Sequence, residues 1–572
     1  FLLWAFWHSV LGLLLIRTAK KWEAPVMTVV SFAQVCLATM ILGIYVFDLK
    51  IGSNPFILLR QSDILAPGSA PVFYNAAGEL HANYLELINK RGGMGLNQLL
   101  QNYWMVIHPP ILFLGFASTI VPFAYAIAGL WKKEFGTWTK QALPWALFSA
   151  GILGLGIMMG AKWAYESLNF GGYWAWDPVE NASLVPWLIM VAGIHTLIVY
   201  NATGHSLRAT YVFFILSFLL VLYSTYLTRS GDLQDTSVHA FVDSGMNWQL
   251  RALVFVFLIP AGWLLIKRYR QIPHIAKEES SYSREFWMFI GSLVLFLSSV
   301  AIIIGTSLPV INKIFGSNFA IGEEREFSYN RIQVFVALIL GVLTAIGQYM
   351  RYKETRKIHM GKQLILPTII TLAISLSISL LGNIHYDKFG IGFLTAIHLA
   401  IFGSVYGIVA NSGYIWSGMK GKLKAAGGSV AHIGFGLLLL GVLISSSKKE
   451  VLSINTINPL NFGPDKKQEG LENMTLFQGV RTDMGQYWVT YVKDTSSDNG
   501  RQTFFHILME KKDGSDRFML YPDMIKNTKG QQGVSMNPDA KHYWNRDIFS
   551  YTSYSDKVNE EADTAQFRNH LL

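Results

Sequence analysis

The chain has 572 residues, of which 51% are hydrophobic and only 15% charged, with a mean hydropathy of +0.32. That balance excludes an ordinary soluble protein, so the formal net charge of +10 is read through membrane topology and not as a nucleic-acid surface. The single cysteine, Cys36, excludes an internal disulfide, a zinc–thiolate site and a haem attached covalently through C-x-x-C-H on this chain. The chain opens at Phe1 inside an apolar run and ends at Leu572 with no terminal apolar helix, so both native termini are expected beyond it.

Apolar windows of about 20 residues, the length that crosses a bilayer as a helix, predict about twelve spans. They lie near 1–17, 25–46, 107–130, 142–162, 184–203, 209–227, 250–266, 287–312, 331–350, 364–382, 391–411 and 427–446. The connecting loops alternate in basic content. One set holds Arg17, Lys20 and Lys21; Lys132, Lys133 and Lys140; Lys267, Arg268, Arg270 and Lys277; Arg351, Lys353, Arg356 and Lys357; and Lys420, Lys422 and Lys424. Basic loops mark the cytoplasmic side, so the other set faces outward. Residues 47–106 are too polar to span. In the segment after 447, Tyr487 to Val492 and Phe504 to Glu510 read as strands, and 511–515 as a turn into Arg517–Tyr521. The expected fold is an all-α polytopic membrane protein. Its transmembrane bundle covers 1–446 and includes an external loop at 163–187, and a β-rich extracytoplasmic domain follows at 447–572.

That external loop is unusual. Four of the seventeen tryptophans fall between Trp163 and Trp187, with no Lys or Arg among them. At its centre lie Gly171, Gly172, Tyr173, Trp174, Ala175, Trp176, Asp177 and Pro178, then Glu180, Asn181 and Ser183. Tryptophans gather at membrane interfaces whatever the function, but a belt spreads over every loop instead of filling one. A glycine pair beside Tyr and Trp permits close approach by a flat ring. Asp177 and Glu180 read equally well as helix-start carboxylates or as ligand contacts.

Histidine is costly in lipid unless it pairs or binds something. Of fourteen, four have informative positions. His108, before Pro109 and Pro110, opens the third span, and His239 lies in the loop after the sixth; both are on the outward side. His195 and His432 lie inside the fifth and twelfth spans. At 1.5 Å of rise per residue they sit about 12 Å and about 8 Å from the inner ends, a common level within a few residues. An outer pair and an inner pair of imidazoles is what two bis-histidine iron sites require. A lone membrane histidine is more often a satisfied polar residue at a helix contact, and His8, His385 and His398 leave the pairing open. No nucleophile or acid–base pair stands out.

The run from Gly171 to Ser183 resembles the Trp-rich "WWD" signature of haem-handling proteins in cytochrome c maturation. The surrounding chain resembles the CcmF family in particular. Leu96-Asn97-Gln98-Leu99-Leu100-Gln101 leading to His108-Pro109-Pro110 is similar to the family's segment before the signature. Thr236-Ser237-Val238-His239-Ala240-Phe241 is similar to the segment after it. Ser283-Arg284-Glu285 and Tyr329-Asn330-Arg331 agree as well. The likeness covers roughly residues 1–450, and Tyr173 stands where many relatives carry Trp. It implies a haem lyase of the bacterial cytoplasmic (inner) membrane, with the signature on the periplasmic side. Substrate haem is then held by Gly171, Gly172, Tyr173, Trp174, Trp176, Asp177, Glu180 and Asn181, with His108 and His239 on its iron. The resemblance also implies a stable b-type haem within the membrane on His195 and His432. The implied partners are a haem chaperone donor, apocytochrome c, thiol-handling maturation proteins, quinol and membrane lipid. A haem exporter sharing the signature, and a quinone- or ion-linked membrane subunit, are the competing expectations.

Overall fold

In hydrocarbon every backbone N–H and C=O must be satisfied within the chain, which leaves helices as the form for long apolar segments. The computed structural model describes the chain apart from residues 48, 58–73, 76, 85, 87–99, 168–171, 234–236, 238–244, 277–278, 323–324, 383, 385–389, 449, 456–466, 498–499, 528–532, 553–569 and 572. The helices run α1 (Leu2–Thr18), α2 (Glu23–Thr39), α3 (Trp104–Ser118), α4 (Ile120–Lys132), α5 (Thr139–Ser167), α6 (Pro178–Thr203), α7 (Leu207–Arg229) and α8 (Asn247–Arg268). They continue with α9 (Arg284–Thr306), α10 (Leu308–Phe315), α11 (Arg325–Tyr349), α12 (Lys357–Leu381), α13 (Gly390–Ser417), α14 (Gly427–Ser447) and the short α15 (Lys467–Glu472). Among the described residues ten helical segments are long and apolar enough to cross a membrane, α3 and α4 counting as one, and α1 is a shorter apolar helix. The chain is therefore a multi-pass membrane protein.

Each expected span overlaps a helix, but α1 and α2, at 17 residues each, fall short of the ten that can cross, and the other differences lie at the ends. The segment expected at 25–46 stops at Thr39. Ile44–Val46 forms strand β1, paired antiparallel with β2 (Leu49–Ile51). Gly43 turns the chain there with φ +66°, and a Cβ on it would lie 2.5 Å from the backbone nitrogen of Asn54, so only glycine fits. The segment expected at 287–312 divides at Ser307, with Pro309 early in α10. The third span begins at Trp104, so Pro109 and Pro110 lie inside α3 and do not open it.

Two compact units are distinguished. The first comprises Phe1–Pro55, Pro109–Met158 and Ala175–Lys448. Its α6 is packed by α7 and α9, with Val185, Leu188, Ile189 and Ala192 of α6 against Phe213, Leu295, Ile302, Tyr329 and Leu340. α11 and α13 cross where Gly341 meets Gly403, and a Cβ on Gly341 would fall 2.5 Å from the Gly403 carbonyl. Small residues let helix backbones approach in this way in membranes. On α12, by contrast, Ile365, Leu366 and Ile369 are exposed, as a lipid-facing surface requires.

The second unit comprises Phe56–His108, Met159–Trp174 and Lys449–Leu572. Its strands are β3 (Leu476–Phe477), β4 (Arg481–Met484), β5 (Tyr487–Ser496), β6 (Gln502–Lys511), β7 (Arg517–Leu520), β8 (Asp523–Asn527), β9 (Gly533–Asn537), β10 (Asp539–His542), β11 (Asp547–Ser550) and β12 (His570–Leu571). The main sheet runs β4-β5-β6-β8-β9, with β7 also on β6. Alternate residues Tyr487, Val489 and Tyr491 are buried, the period-two signature of a half-buried strand. They join Ile507, Met509, Leu520 and Ile548 in one core, so the β10–β11 hairpin packs on this sheet through Ile548.

Candidate functional site

His195 comes from α6 and His432 from α14. Their ring centres lie 6.2 Å apart and their planes are within 10° of parallel. Metal–imidazole bonds of about 2 Å on either side of one iron, plus about 1 Å from each coordinating nitrogen to its ring centre, set opposed rings about 6 Å apart. His195 Nδ1 lies 2.8 Å from the Val191 carbonyl one turn back, which leaves Nε2 with the lone pair. His432 Nδ1 lies 3.2 Å from the Gln348 side-chain nitrogen. In the opposite orientation of that carboxamide its oxygen accepts from Nδ1–H, which leaves the lone pair on Nε2. Among the described residues no three His, Cys, Asp or Glu side chains converge as a metal site. Two imidazoles alone under-coordinate a bare ion, whereas a porphyrin iron asks the protein only for axial ligands. The donor set fits a haem.

Gln348 is itself held. It lies one residue from the end of α11, where carbonyls lack helical partners. Arg284 at the start of α9 donates Nε to the Gly347 carbonyl at 3.0 Å and Nη2 to the Gln348 carbonyl. Ser283 caps α9, accepting from Phe286 N at 3.3 Å, and Glu285 accepts from Lys353 N at 2.7 Å. The Ser283-Arg284-Glu285 motif thus fastens α9 to the α11 terminus that presents Gln348. His8 and His398 are spent elsewhere: His8 Nε2 accepts from Trp4, and His398 Nδ1 bonds Ser379. His385 lies outside the described residues.

The second half of the Trp-rich run belongs to the first unit. Asp177 is the N-cap of α6, its Oδ1 accepting from Val179 N at 2.9 Å, while Glu180 reaches back to Asp177 N at 3.1 Å and Ala175 N at 3.2 Å. This is a capping box with Pro178 at N1. The same Asp177 oxygen accepts from the Ser237 hydroxyl at 2.7 Å, tying the segment two residues before His239 to the helix start. Trp176 has φ +53°, a left-handed conformation that costs a bulky residue roughly 1–3 kcal/mol unless its surroundings hold it. Three neighbours do. Asn181 Nδ2 donates to its carbonyl at 3.1 Å, its indole N–H donates to Asn330 Oδ1 at 2.7 Å, and its ring stacks on Tyr329 at 5.0 Å and 18°.

The first half of the run belongs to the second unit. Tyr173 stacks on Tyr165 of α5 at 4.2 Å and 9°, with the Lys162 ammonium 5.1 Å and 5.7 Å from the two ring centres. Burial pushes the Tyr173 hydroxyl above its ordinary pKa. Lys162 also pairs with Glu166 at 3.0 Å, which accepts from the Trp104 indole at 2.6 Å. His108, expected to open the third span but four residues after the α3 start at Trp104, lies against Gly160, where a Cβ would come 2.8 Å from His108 Cε1. Gly160 therefore makes room for the imidazole. Gly172 faces open space, and Trp174 is half-buried. Gly171 and His239 lie outside the described residues.

Sequence reasoning did not single out Gly160, Tyr165, Ser237, Tyr329, Asn330 or Gln348 as holders of these groups. Two signals were available. Tyr329-Asn330 stood in a family-like motif, and Gly160 interrupts a helix where glycine costs about 1 kcal/mol against alanine.

The description "Cytochrome C assembly protein" belongs to a family whose pattern matches residues 1–233. The cytochrome c-type biogenesis protein CcmF of Pseudomonas fluorescens is 32% identical over 366 residues, covering 62% of this chain and 53% of the relative. The CcmF of Escherichia coli K12 is 31% identical over 358 residues, covering 62% and 54%. The chain spans about half the length of the curated relatives it matches. A solved structure named cytochrome c heme lyase CcmF superposes with a TM-score of 0.64 over 95% of this chain and 74% of that one, at 19% identity, and shares the fold. By sequence the chain is similar to a cytochrome c assembly family over residues 1–233 and to CcmF proteins over about half their length, and it shares the fold of the solved CcmF.

Proposed function

We propose that this chain is a haem lyase subunit of c-type cytochrome biogenesis in a bacterial cytoplasmic membrane. In this reading it holds substrate haem at a periplasmic Trp-rich platform and promotes attachment to the thiols of an apocytochrome C-x-x-C-H segment. The observation that carries the reading is the His195–His432 pair, parallel and 6.2 Å apart. Such a pair would hold a b-type haem, which would supply electrons to keep the substrate iron ferrous. Val191 and Gln348 fix the orientation of the two imidazoles and so set which nitrogen faces the metal. The alternation of basic loops supports the sidedness.

At the platform, His108 and His239 are assigned to the substrate iron. Tyr173, Trp174 and Trp176 are walls for its ring, and Gly171 and Gly172 leave it room. Asp177, Glu180 and Asn181 keep Trp176 in its strained conformation. The relatives' name, cytochrome c-type biogenesis, and the structural neighbour's, heme lyase, support the lyase reading. The partners that follow are a haem chaperone, reduced apocytochrome, thiol-handling proteins and quinol as electron source.

Absorbance of the purified protein, with cytochrome maturation scored in the same cells, tests this. The wild type should show reducible b-type bands that vanish in His195→Ala and His432→Ala. His108→Ala and His239→Ala should keep those bands and lose attachment. A wild type without reducible haem, or outer variants that still mature cytochrome normally, would sink the reading.

A further inference from the structure

The second unit contains an acid–base pair that its sequence concealed, because the partners sit across a hairpin. His542 ends β10 and Asp547 begins β11, and the two are in register opposite one another. His542 Nδ1 lies 3.0 Å from Asp547 Oδ2. The same oxygen accepts from the Tyr165 hydroxyl at 2.8 Å. Tyr165 also touches Phe549 of β11, with ring centres 5.2 Å apart, and approaches the His542 ring at 6.4 Å. Asp547 is thus pinned from two sides. The imidazole it orients donates Nδ1–H to the carboxylate and keeps the lone pair on Nε2. The His542 side chain is 52% exposed, open to a visiting molecule, whereas that of Asp547 is 24% exposed.

The pair's surroundings give it a destination. Tyr165 stacks face to face on Tyr173, which directly precedes Trp174, so the carboxylate is one stacked ring away from the Trp-rich run. An exposed ion pair by itself contributes about 0–1 kcal/mol to stability, a small return for a carboxylate shared between a helix and a hairpin. A carboxylate holding an imidazole in one tautomer, with the far nitrogen accessible, is the arrangement that activates a nucleophile.

We propose that His542, oriented by Asp547, is the base that takes the proton from an apocytochrome cysteine as its sulfur adds to a haem vinyl group. This rests on the lyase reading above. The S–H bond breaks as the proton moves to Nε2, and the sulfur pair forms the S–C bond at the inner vinyl carbon. The π pair moves to the terminal carbon, which takes the proton back from the imidazolium. The sum is addition of S–H across C=C, with no oxidant or reductant consumed. Around the dyad the charged and titratable groups are Tyr165, Lys162, Glu166 and Tyr173 from the α5 side, and Lys541, Tyr543 and Arg546 on the hairpin. Among the described residues, His542 is the histidine that pairs its ring nitrogen with Asp547.

The test uses the full-length, haem-loaded protein and a reduced C-x-x-C-H peptide, following thioether product by mass spectrometry between pH 6 and 9. A free cysteine thiol ionises near pH 8.5, so an unassisted reaction speeds up steeply with pH. Wild type should be fast at pH 7. His542→Gln should lose about 100-fold there, the range for a general base, recover toward pH 9, and keep its peptide affinity. Asp547→Asn should fall part of the way. Tyr165→Phe, which keeps the stack and removes one donor, should change the rate less than either. An unchanged profile in His542→Gln, or an equal loss at every pH, overturns the assignment while leaving the lyase reading intact. A wild-type protein that attaches no haem overturns both. Unchanged b-type bands in each variant show that the protein is folded.

Discussion

A ring nitrogen inside a membrane must be satisfied, and which one is left over decides what a histidine can do. At His195 the Val191 carbonyl takes Nδ1, and at His432 the Gln348 carboxamide does. The first contact is backbone one turn away and comes with any helix, so only the second can be removed by mutation. Gln348→Ala should therefore weaken haem binding about 10- to 100-fold, the usual effect of losing a ligand's outer partner. Titration of the haem-stripped protein, read by its b-type absorbance, checks this. Asp232 gives a second prediction at this scale. Burial raises its pKa, but Lys313 at 2.6 Å and the Tyr226 hydroxyl outweigh burial and leave it below the ordinary value. A carboxylate whose folded pKa is depressed stabilises above its unfolded value, near 3.8, and loses that contribution as pH falls through the folded one. The melting-temperature gap between wild type and Asp232→Asn should be constant above about pH 5 and close below about pH 4.

At the scale of elements, the helices were legible because twenty apolar residues between basic loops have few alternatives. Their ends were not. α2 stops at Thr39 because Gly43 and Gly52 open a hairpin, and the apolar Ile44-Tyr45-Val46 reads the same in either state. Pro109 and Pro110 suggested a helix start, yet α3 begins at Trp104, where Asn102 Oδ1 accepts from the Trp104 N–H at 2.8 Å. The crossing of α11 and α13 leaves no room for a side chain at Gly341. Gly341→Val should push the two backbones apart and destabilise by about 1–3 kcal/mol, the cost of overpacking. Because α11 carries Gln348, the melting temperature of the detergent-solubilised protein and its haem content should fall together. Gly151→Ala in α5, where a Cβ meets nothing within 4 Å, should lower neither.

For the whole molecule, what the sequence made plain was composition and motif: a membrane bundle, a Trp-rich run, four histidines of interest and a β-rich end. Its silence concerned groups that meet only after folding. His195 and His432 were one pairing among several until α6 and α14 brought their rings to 6.2 Å. Asn330 and Tyr329 were motif letters until Trp176 was seen resting on them in a left-handed turn. Asp177 and Glu180 had two readings of equal standing. Their capping box accounts for both carboxylates by local backbone chemistry, and Ser237 adds a reach across the chain that no spacing rule contains. The strands at 487–496 and 502–511 were visible by alternation, but the hairpin that follows β9 was not.

The shared oxygen of Asp547 also has a consequence in time. Tyr165 is translated 382 residues before the carboxylate that accepts its hydroxyl. At roughly 5–20 residues per second, the ribosome needs on the order of 20–75 s to deliver that acceptor. Until then the tyrosine stack beside Trp174 lacks its second support, even with α5 already inserted. During that interval a nascent chain carries Tyr165 without the acceptor that later fastens its hydroxyl.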